Sequence, residues 1–345
     1  MPEISYLTKT LKYTIPVVIY ICYKRYKNIK NIKNIKIPTL VKSIKSIKSI
    51  KYKYDKIKYD YDIIKLTNGY CHYRTNIINP FMLNKNNTPN EIYIFIHDNN
   101  GSLYDFSNII QALYDDNDIN IKKNYLTYDL YGRGFSHYDN SPQTLQLYIL
   151  QLIELLYKLN ITSNLHLIGI GMGSAIASGF ASIHPAKIES LILLSPIGYK
   201  GYRQITTPLY VNANMWNDIE SVEYKKYNEF YDNIGDNIDS EISYINNFPI
   251  GEMEETYEQV NKLINNILII WPEDDILNPV DNIKYITNTI INSEIQIQIN
   301  YKHMFLIEHG IDVYNSINKW IFRKKYEEVL RKNQLRKETL ELKIL

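Results

Sequence analysis

From residue 59 onward, short uninterrupted apolar runs are separated by longer stretches with helical spacing. Ile92–His97, Tyr125–Asp129, Leu165–Ile170, Leu191–Leu194 and Ile267–Trp271 read as strands that are apolar on both faces. A parallel sheet covered by helices on each side has strands of this kind. Ahead of them, Ile63–Leu66 and Tyr70–Arg74 flank Thr67-Asn68-Gly69 and predict a hairpin. Glu294–Ile299 alternates strictly, as a half-exposed edge strand does. A helix is expected after Ser102. Another is expected over 143–159, capped at Ser141 with Pro142 in its first position, and a last one over about 309–323. In the second of these, Leu145, Leu147, Tyr148, Leu152, Leu155 and Leu156 recur near helical spacing. The rhythm predicts an α/β domain: a mostly parallel, twisted sheet of about eight strands with helices on both faces.

The rhythm stops between about 202 and 259. That stretch is polar, helical in pattern and studded with Trp216, Tyr224, Tyr227, Phe230 and Tyr231. It reads as a helical insertion over the carboxyl edge of the sheet, where ligands bind in such folds, and so as a lid. Surface decoration is the plainer reading.

The sharpest local signal is Leu165–Ile183. An apolar run meets Gly169, Gly171 and Gly173, and a helix of small residues follows at once. Strand, tight turn and helix in direct succession is the layout of a nucleophile elbow, G-x-S-x-G. In this chain the frame reads Gly169-Ile170-Gly171-Met172-Gly173, with glycine where the hydroxyl belongs.

Charge divides the chain. Residues 1–58 hold fifteen Lys/Arg against Glu3 and Asp55, a net +13, whereas the remainder carries 24 basic against 35 acidic residues, a net −11. The basic arm contains the triplet repeats NIKNIKNIK and KSIKSIKSIK, whose period of three forms no helical stripe. It reads as a low-complexity linker or as a polybasic strip. Residues 13–23 are eleven uncharged residues, short of the roughly 20 that a spanning helix needs. Together with the basic tract they suggest an interfacial segment, so 13–58 is a candidate for contact with an anionic membrane surface. Cytoplasmic and membrane-associated locations both stay open. Cys22 and Cys71 form no disulfide framework. No zinc spacing or RNA-binding signature is present, so no metal, cofactor or nucleic acid is expected. The expected organisation is a basic arm at 1–58, a domain at 59–325 with its insertion at about 202–259, and a charged tail at 326–345, with the stretch 323–345 read as a frayed helix.

From about 60 to 323 the chain resembles the α/β-hydrolase fold, in particular lid-bearing serine esterases and lipases. The resemblance rests on five segments in order: His97-Asp98-Asn99-Asn100-Gly101-Ser102, Asp129-x-x-Gly132-x-Gly134-x-Ser136, the elbow at 169–173, Trp271-Pro272-Glu273-Asp274-Asp275, and Lys302-His303. It implies that Asp275 is the orienting acid, with Asp274 its neighbouring competitor, and that His303 is the base, ahead of His309. The backbone N–H groups of Asn99 and Met172 would form the oxyanion hole, and Gly171 would occupy the nucleophile position. The implied ligand is small and apolar or ester/lipid-like.

The departures limit the implied chemistry. Glycine carries no Oγ, so no acyl-enzyme forms at 171. Ser174, three residues on, is expected to point along the helix. Asp98 stands where the family has glycine and brings a carboxylate near the hole, where it would oppose an oxyanion. His97 and Asp129 also have ordinary structural readings, in packing and in pinning a loop. Three functions compete. One is a non-catalytic or catalytically impaired ligand-binding homologue. The second is a hydrolase or lyase using His303–Asp275 and activated water. The third is a dinucleotide binder on the glycine-rich turn, which lacks the acidic residue expected after the next strand.

Overall fold

The computed structural model describes residues 62–77, 91–116, 123–162, 164–199, 215–218, 220–227 and 238–344. The arm at 1–58, its apolar segment and its repeats lie outside the described residues, as do Phe230 and Tyr231. Eight strands form one sheet: β1 (Asp62–Leu66), β2 (Gly69–Thr75), β3 (Ile92–Ile96), β4 (Asn124–Tyr128), β5 (Leu165–Ile170), β6 (Ile188–Leu194), β7 (Ile267–Pro272) and β8 (Glu294–Gln298). Their order is β1-β2-β4-β3-β5-β6-β7-β8. β2 runs antiparallel to both neighbours, and every other pair is parallel. The hairpin closes where expected, with Leu66 opposite Gly69.

Side-chain alternation explains why the central strands look apolar throughout. In β3, Ile92, Ile94 and Ile96 enter one core while Tyr93 and Phe95 enter the other. β7 divides likewise, with Ile267, Ile269 and Trp271 against Leu268 and Ile270. Period-two alternation between two buried faces yields a continuous apolar run. The first core is covered by α2 (Leu145–Lys158), α3 (Met172–Ile183) and α5 (Glu254–Leu263). The second is covered by α1 (Ser107–Asp115), the short α7 (Phe305–Glu308) and α8 (Gly310–Ile344). α4 (Ile238–Asn247) precedes α5, and α6 (Ile283–Thr287) leads toward β8.

Three helices differ from the sequence expectation. Ser102 does cap a helical start, but its first turn, Leu103–Phe106, is a 3₁₀ turn that leads into α1. α2 is capped by Thr144, whose Oγ1 accepts from the Leu147 N–H at 3.2 Å, rather than by Ser141. Ser141 instead accepts a hydrogen bond from Asn68 beside the hairpin turn. The last helix, expected over about 309–323 with a frayed helical tail beyond it, is a single helix: α8 runs unbroken through the charged tail. Exposed pairs at helical spacing, Arg323–Glu327 and Glu328–Lys332, line it, and no Gly or Pro follows Gly310 to stop it. β8 is the edge strand, with Ile295 and Ile297 about half exposed at 45% and 48%. No helix among the described residues is long and apolar enough to cross a membrane.

The topology places one crevice. From β3 the chain goes to β4 on one side and returns to β5 on the other, so adjacent strands diverge at their carboxyl ends. Ligands bind at such reversals. The register pairs Ile96 with Gly169, which sets the loop after β3 beside the turn after β5. α3 approaches so closely that a Cβ on Gly173 would overlap the carbonyl oxygen of Ile96. Backbone cannot yield as a flexible side chain can. Gly173→Ala is therefore expected to lower the unfolding free energy by about 1–3 kcal/mol, measured by urea denaturation.

Candidate active site

The site is assembled from four loops at the carboxyl ends of β3, β5, β7 and β8. After β3, His97 is fully buried. Its Nε2 accepts from the Leu130 N–H at 2.9 Å, so Nδ1 carries the proton and donates to the Asp98 carbonyl at 2.6 Å. Burial holds its pKa below the ordinary value, and this neutral ring braces the loop. His97 is thus a packing histidine.

The next residue fills the space between the loop after β3 and the turn after β5. Asp98 Oδ1 accepts from the backbone N–H of Asn99 at 2.8 Å and from that of Met172 at 2.6 Å. These are the two donors that the family resemblance would place at an oxyanion hole. They do converge on one point, and a carboxylate oxygen of the protein already sits there. Gly171 makes room for it. Its backbone has φ 53° and ψ −115°, and a Cβ built on it would fall inside the Asp98 carboxyl group. The Asp98 side chain thus occupies the space where a nucleophile side chain would begin. Asp98 Oδ2 makes no hydrogen bond to a described residue.

Ser174 does not compensate for the missing hydroxyl. Its Oγ donates to Gly169 O at 2.6 Å and lies 3.3 Å from Leu194 O, inside the strand–helix junction. Among the described residues no hydroxyl or thiol is hydrogen-bonded to the imidazole of His303.

The acid and the histidine do meet. His303 Nδ1 lies 3.0 Å from both oxygens of Asp275. Asp275 follows β7 and is buried, and its Oδ1 also accepts from the backbone N–H groups of Leu277 and Asn278 at 2.9 and 3.0 Å. Ser195 Oγ donates to its Oδ2 at 3.0 Å. Asn278 ties Ser195 in place through the Ser195 and Pro196 carbonyls. Ser195 has φ 42°, a left-handed conformation rare for serine and held here by these contacts. The competitors are elsewhere: Asp274 is exposed, and the His309 ring stacks on Tyr301 at 4.0 Å. The His303 side chain retains 17% exposure, so the pair opens toward solvent.

Two residues escaped the sequence reading. The Arg133 guanidinium is buried and donates to Asn99 O and Asn99 Oδ1, both at 2.5 Å. Glu241 of α4 accepts from Asn99 Nδ2 at 2.9 Å and pairs with Arg133 at 3.4 Å. Burial raises the Glu241 pKa, and Arg133 offsets this only in part. Together they clamp Asn99. Arg133 lies within the aspartate-glycine stretch, but nothing local marks its partners, one of which, Glu241, lies 142 residues from Asn99 in the chain. Asp129 is structural: it accepts from His72 Nδ1 and from the Leu103 and Phe135 N–H groups, each at 2.8 Å. Beside His303, Trp216 and Tyr227 pack with Met215, Met304 and Ile307, and Tyr224 lies against them. Lys302 Nζ donates to the Trp216 carbonyl at 2.8 Å. No group of three His, Cys, Asp or Glu suited to a metal occurs among the described residues.

No family model matches the sequence, and no curated protein matches it. Solved structures do match. A carboxylesterase structure from Nitrososphaera gargenis aligns with TM-score 0.60 at 16% identity, over 77% of this chain and 100% of that one. A bromoperoxidase from Bacillus anthracis aligns with TM-score 0.61 at 16% identity, over 76% and 99%. A thermophilic esterase from Thermogutta terrifontis gives 0.59 at 14%, over 77% and 99%. At these identities the likeness is one of fold, and the fold is that of the α/β-hydrolases.

The charges make the dyad pH-sensitive. Burial works against protonated His303, but the Asp275 carboxylate, aided by Asp98 and Asp105, outweighs it and raises the pKa above 6.5. Burial also works against ionised Asp275, yet His303 and the hydrogen bonds lower its pKa below 3.8. The His303 contribution to stability is complete below about 6.5 and is lost as pH rises through the folded value. That of Asp275 is complete above about 3.8 and is lost as pH falls through its folded value. NMR titration is expected to place the His303 ring above 6.5. Asp275→Asn should bring it down strongly, because burial then prevails, and Asp98→Asn should bring it down less.

Proposed function

We propose that this α/β-hydrolase-fold protein has lost the serine acyl-transfer chemistry of the esterases it resembles. On this reading it is a catalytically impaired or non-catalytic homologue that binds a small apolar or ester/lipid-like ligand. The observation that carries the proposal is the pairing of Gly171 with Asp98. Glycine removes the nucleophile, and the carboxylate occupies the hole that would hold an oxyanion. A hydrolase that loses its nucleophile alone keeps roughly 10³–10⁴-fold catalysis over water from its hole and its binding contacts. Here the hole contribution is lost as well, because a fixed negative charge opposes the developing one. The aromatic cluster around Trp216, beside His303, supports an apolar ligand under a lid formed by 202–259. The net charge of +13 over residues 1–58 supports docking of the 13–58 segment on an anionic membrane surface.

A second reading keeps the dyad active, with His303 and Asp275 activating water. Its support is the 3.0 Å pairing and the elaborate seating of Asp275. A purely vestigial acid has no need of that seating.

The purified chain is expected neither to react with a serine-directed fluorophosphonate nor to cleave short acyl esters. Gly171→Ser alone should stay inert, since the new side chain meets the Asp98 carboxyl group. The double variant Asp98→Gly, Gly171→Ser clears the hole and supplies the hydroxyl, and it should gain phosphonate labelling at residue 171. Labelling of the wild-type chain at any serine would overturn the proposal, as would Gly171→Ser being fully active on its own.

A further inference from the structure

The two edges of the sheet are built differently. β1, at one end, exposes Asp62, Ile63 and Lys65, so charge flanks its exposed apolar residue. Charged side chains of this kind keep other strands from adding to an edge. β8, at the other end, has Ile295 and Ile297 as its exposed residues. Its one charged residue, Glu294, is held by Arg323 and Lys324 of α8, and no proline or lysine interrupts the strand. The backbone is aimed outward at the same two isoleucines. The Gln298 carbonyl accepts from the Glu273 N–H, on the β7 side, at 2.9 Å. The N–H and C=O of one residue leave a strand on the same side, and that side alternates from residue to residue. Glu294, Gln296 and Gln298 therefore pair with β7. The backbone groups of Ile295 and Ile297 face away from the sheet, where no described strand lies.

We propose that β8 is a self-association edge, and that its occupant is β8 of a second copy of this chain, paired antiparallel about a two-fold axis through Gln296. The strand sequence, EIQIQ, selects that occupant. Turned end to end about its middle residue, it sets Ile295 opposite Ile297 of the second copy and Gln296 opposite its own equivalent. Each isoleucine pair exchanges two backbone hydrogen bonds, using the groups that face outward. The isoleucine side chains cover one another on the face that carries Ile269 and Trp271, whose register partners they are. Glu294 falls opposite Gln298, so like charges do not meet. A slip of one residue sets an outward-facing residue against one whose backbone is committed to β7, and the ladder fails. A slip of two leaves one end unpaired, because the strand stops at Gln298 and Ile299 lies in the turn beyond it. The contact uses the same patch on both copies, so it closes on itself as a dimer. The two eight-stranded sheets join into one. Their strands run in opposite directions, so the two crevices open opposite ways and neither takes part in the contact.

The inference concerns a surface apart from the crevice and is independent of the functional reading above. Light scattering after gel filtration should give the full chain twice the mass of one copy, falling toward one copy on dilution. Ile297→Pro removes an outward N–H that β7 does not use, and Ile297→Lys sets a charge opposite an isoleucine. Each should be monomeric where the wild type is dimeric, with the circular dichroism and cooperative melting of a folded chain. Cysteine pairs test the register without disturbing the ladder. In a Cys22→Ser background, Gln296→Cys lies opposite its own equivalent at a Cα separation of about 4.5 Å, within disulfide reach. It should cross-link to a dimer on mild oxidation. Ile295→Cys and Ile297→Cys should each cross-link poorly alone and efficiently when the two proteins are mixed. A wild-type chain that stays monomeric from micromolar to sub-millimolar concentration would overturn the proposal. So would a dimer that persists in both Ile297 variants, or Ile295→Cys alone cross-linking as well as Gln296→Cys does.

Discussion

The two hydrogen bonds that Asn99 and Met172 give to one oxygen of Asp98 join the loop after β3 to the helix after β5. Bonds from neutral donors to a charged acceptor contribute about 1.5–3 kcal/mol each, more than ordinary backbone pairs. They also make two substitutions into one unit. The carboxyl group fits only because residue 171 has no Cβ, and the hole is filled only because residue 98 is aspartate. A serine at 171 would expel the carboxyl group, and a glycine at 98 would leave the donors facing the crevice. Two positions that the sequence shows far apart thus form one packed unit.

The sheet makes that exchange possible. β3 and β5 are neighbours although β4 lies between them in the chain, and their register brings Asp98 and Gly171 to the same level. Two buried cores, one on each face, prevent the register from slipping. A shift of one residue would send the Ile92, Ile94 and Ile96 set toward the other face. The close contact of Gly173 with the end of β3 then fixes how near the N-terminus of α3 lies to Asp98.

The rest of the site is kept with care. Ser195, Leu277 and Asn278 all serve the Asp275 carboxylate, and Ser195 adopts a left-handed backbone to do so. Arg133 and Glu241 hold Asn99 from the other side, with α4 taking part. A buried acid and a buried cation carry a desolvation penalty that only good partners repay. The partners are present in both places: Arg133 and Glu241 hold Asn99, and Ser195, Leu277 and Asn278 hold Asp275.

The sequence by itself determined the sheet, its hairpin and edge strand, the turn at 169–173 and the residues Asp275 and His303. The sheet, its hairpin and edge strand and the turn follow from local signals: apolar runs, a turn tripeptide and glycines in a tight frame; Asp275 and His303 were picked out only by the order of the segments that carry the family resemblance. It also showed the glycine at 171 and the carboxylate at 98. It could not show that the two share one volume, because their separation in space depends on the pairing of Ile96 with Gly169, strands far apart in the chain. The clamp on Asn99, the support of Asp275 by Ser195 and Asn278, and the choice of Thr144 over Ser141 as a cap were likewise decided by tertiary structure. Each depends on which polar groups meet when distant loops are brought together, and hydrogen bonds between distant loops leave no periodicity to read. The long α8 is the reverse case. Its exposed charges gave no apolar pattern to follow, yet local pairing and the absence of a breaker sustain it.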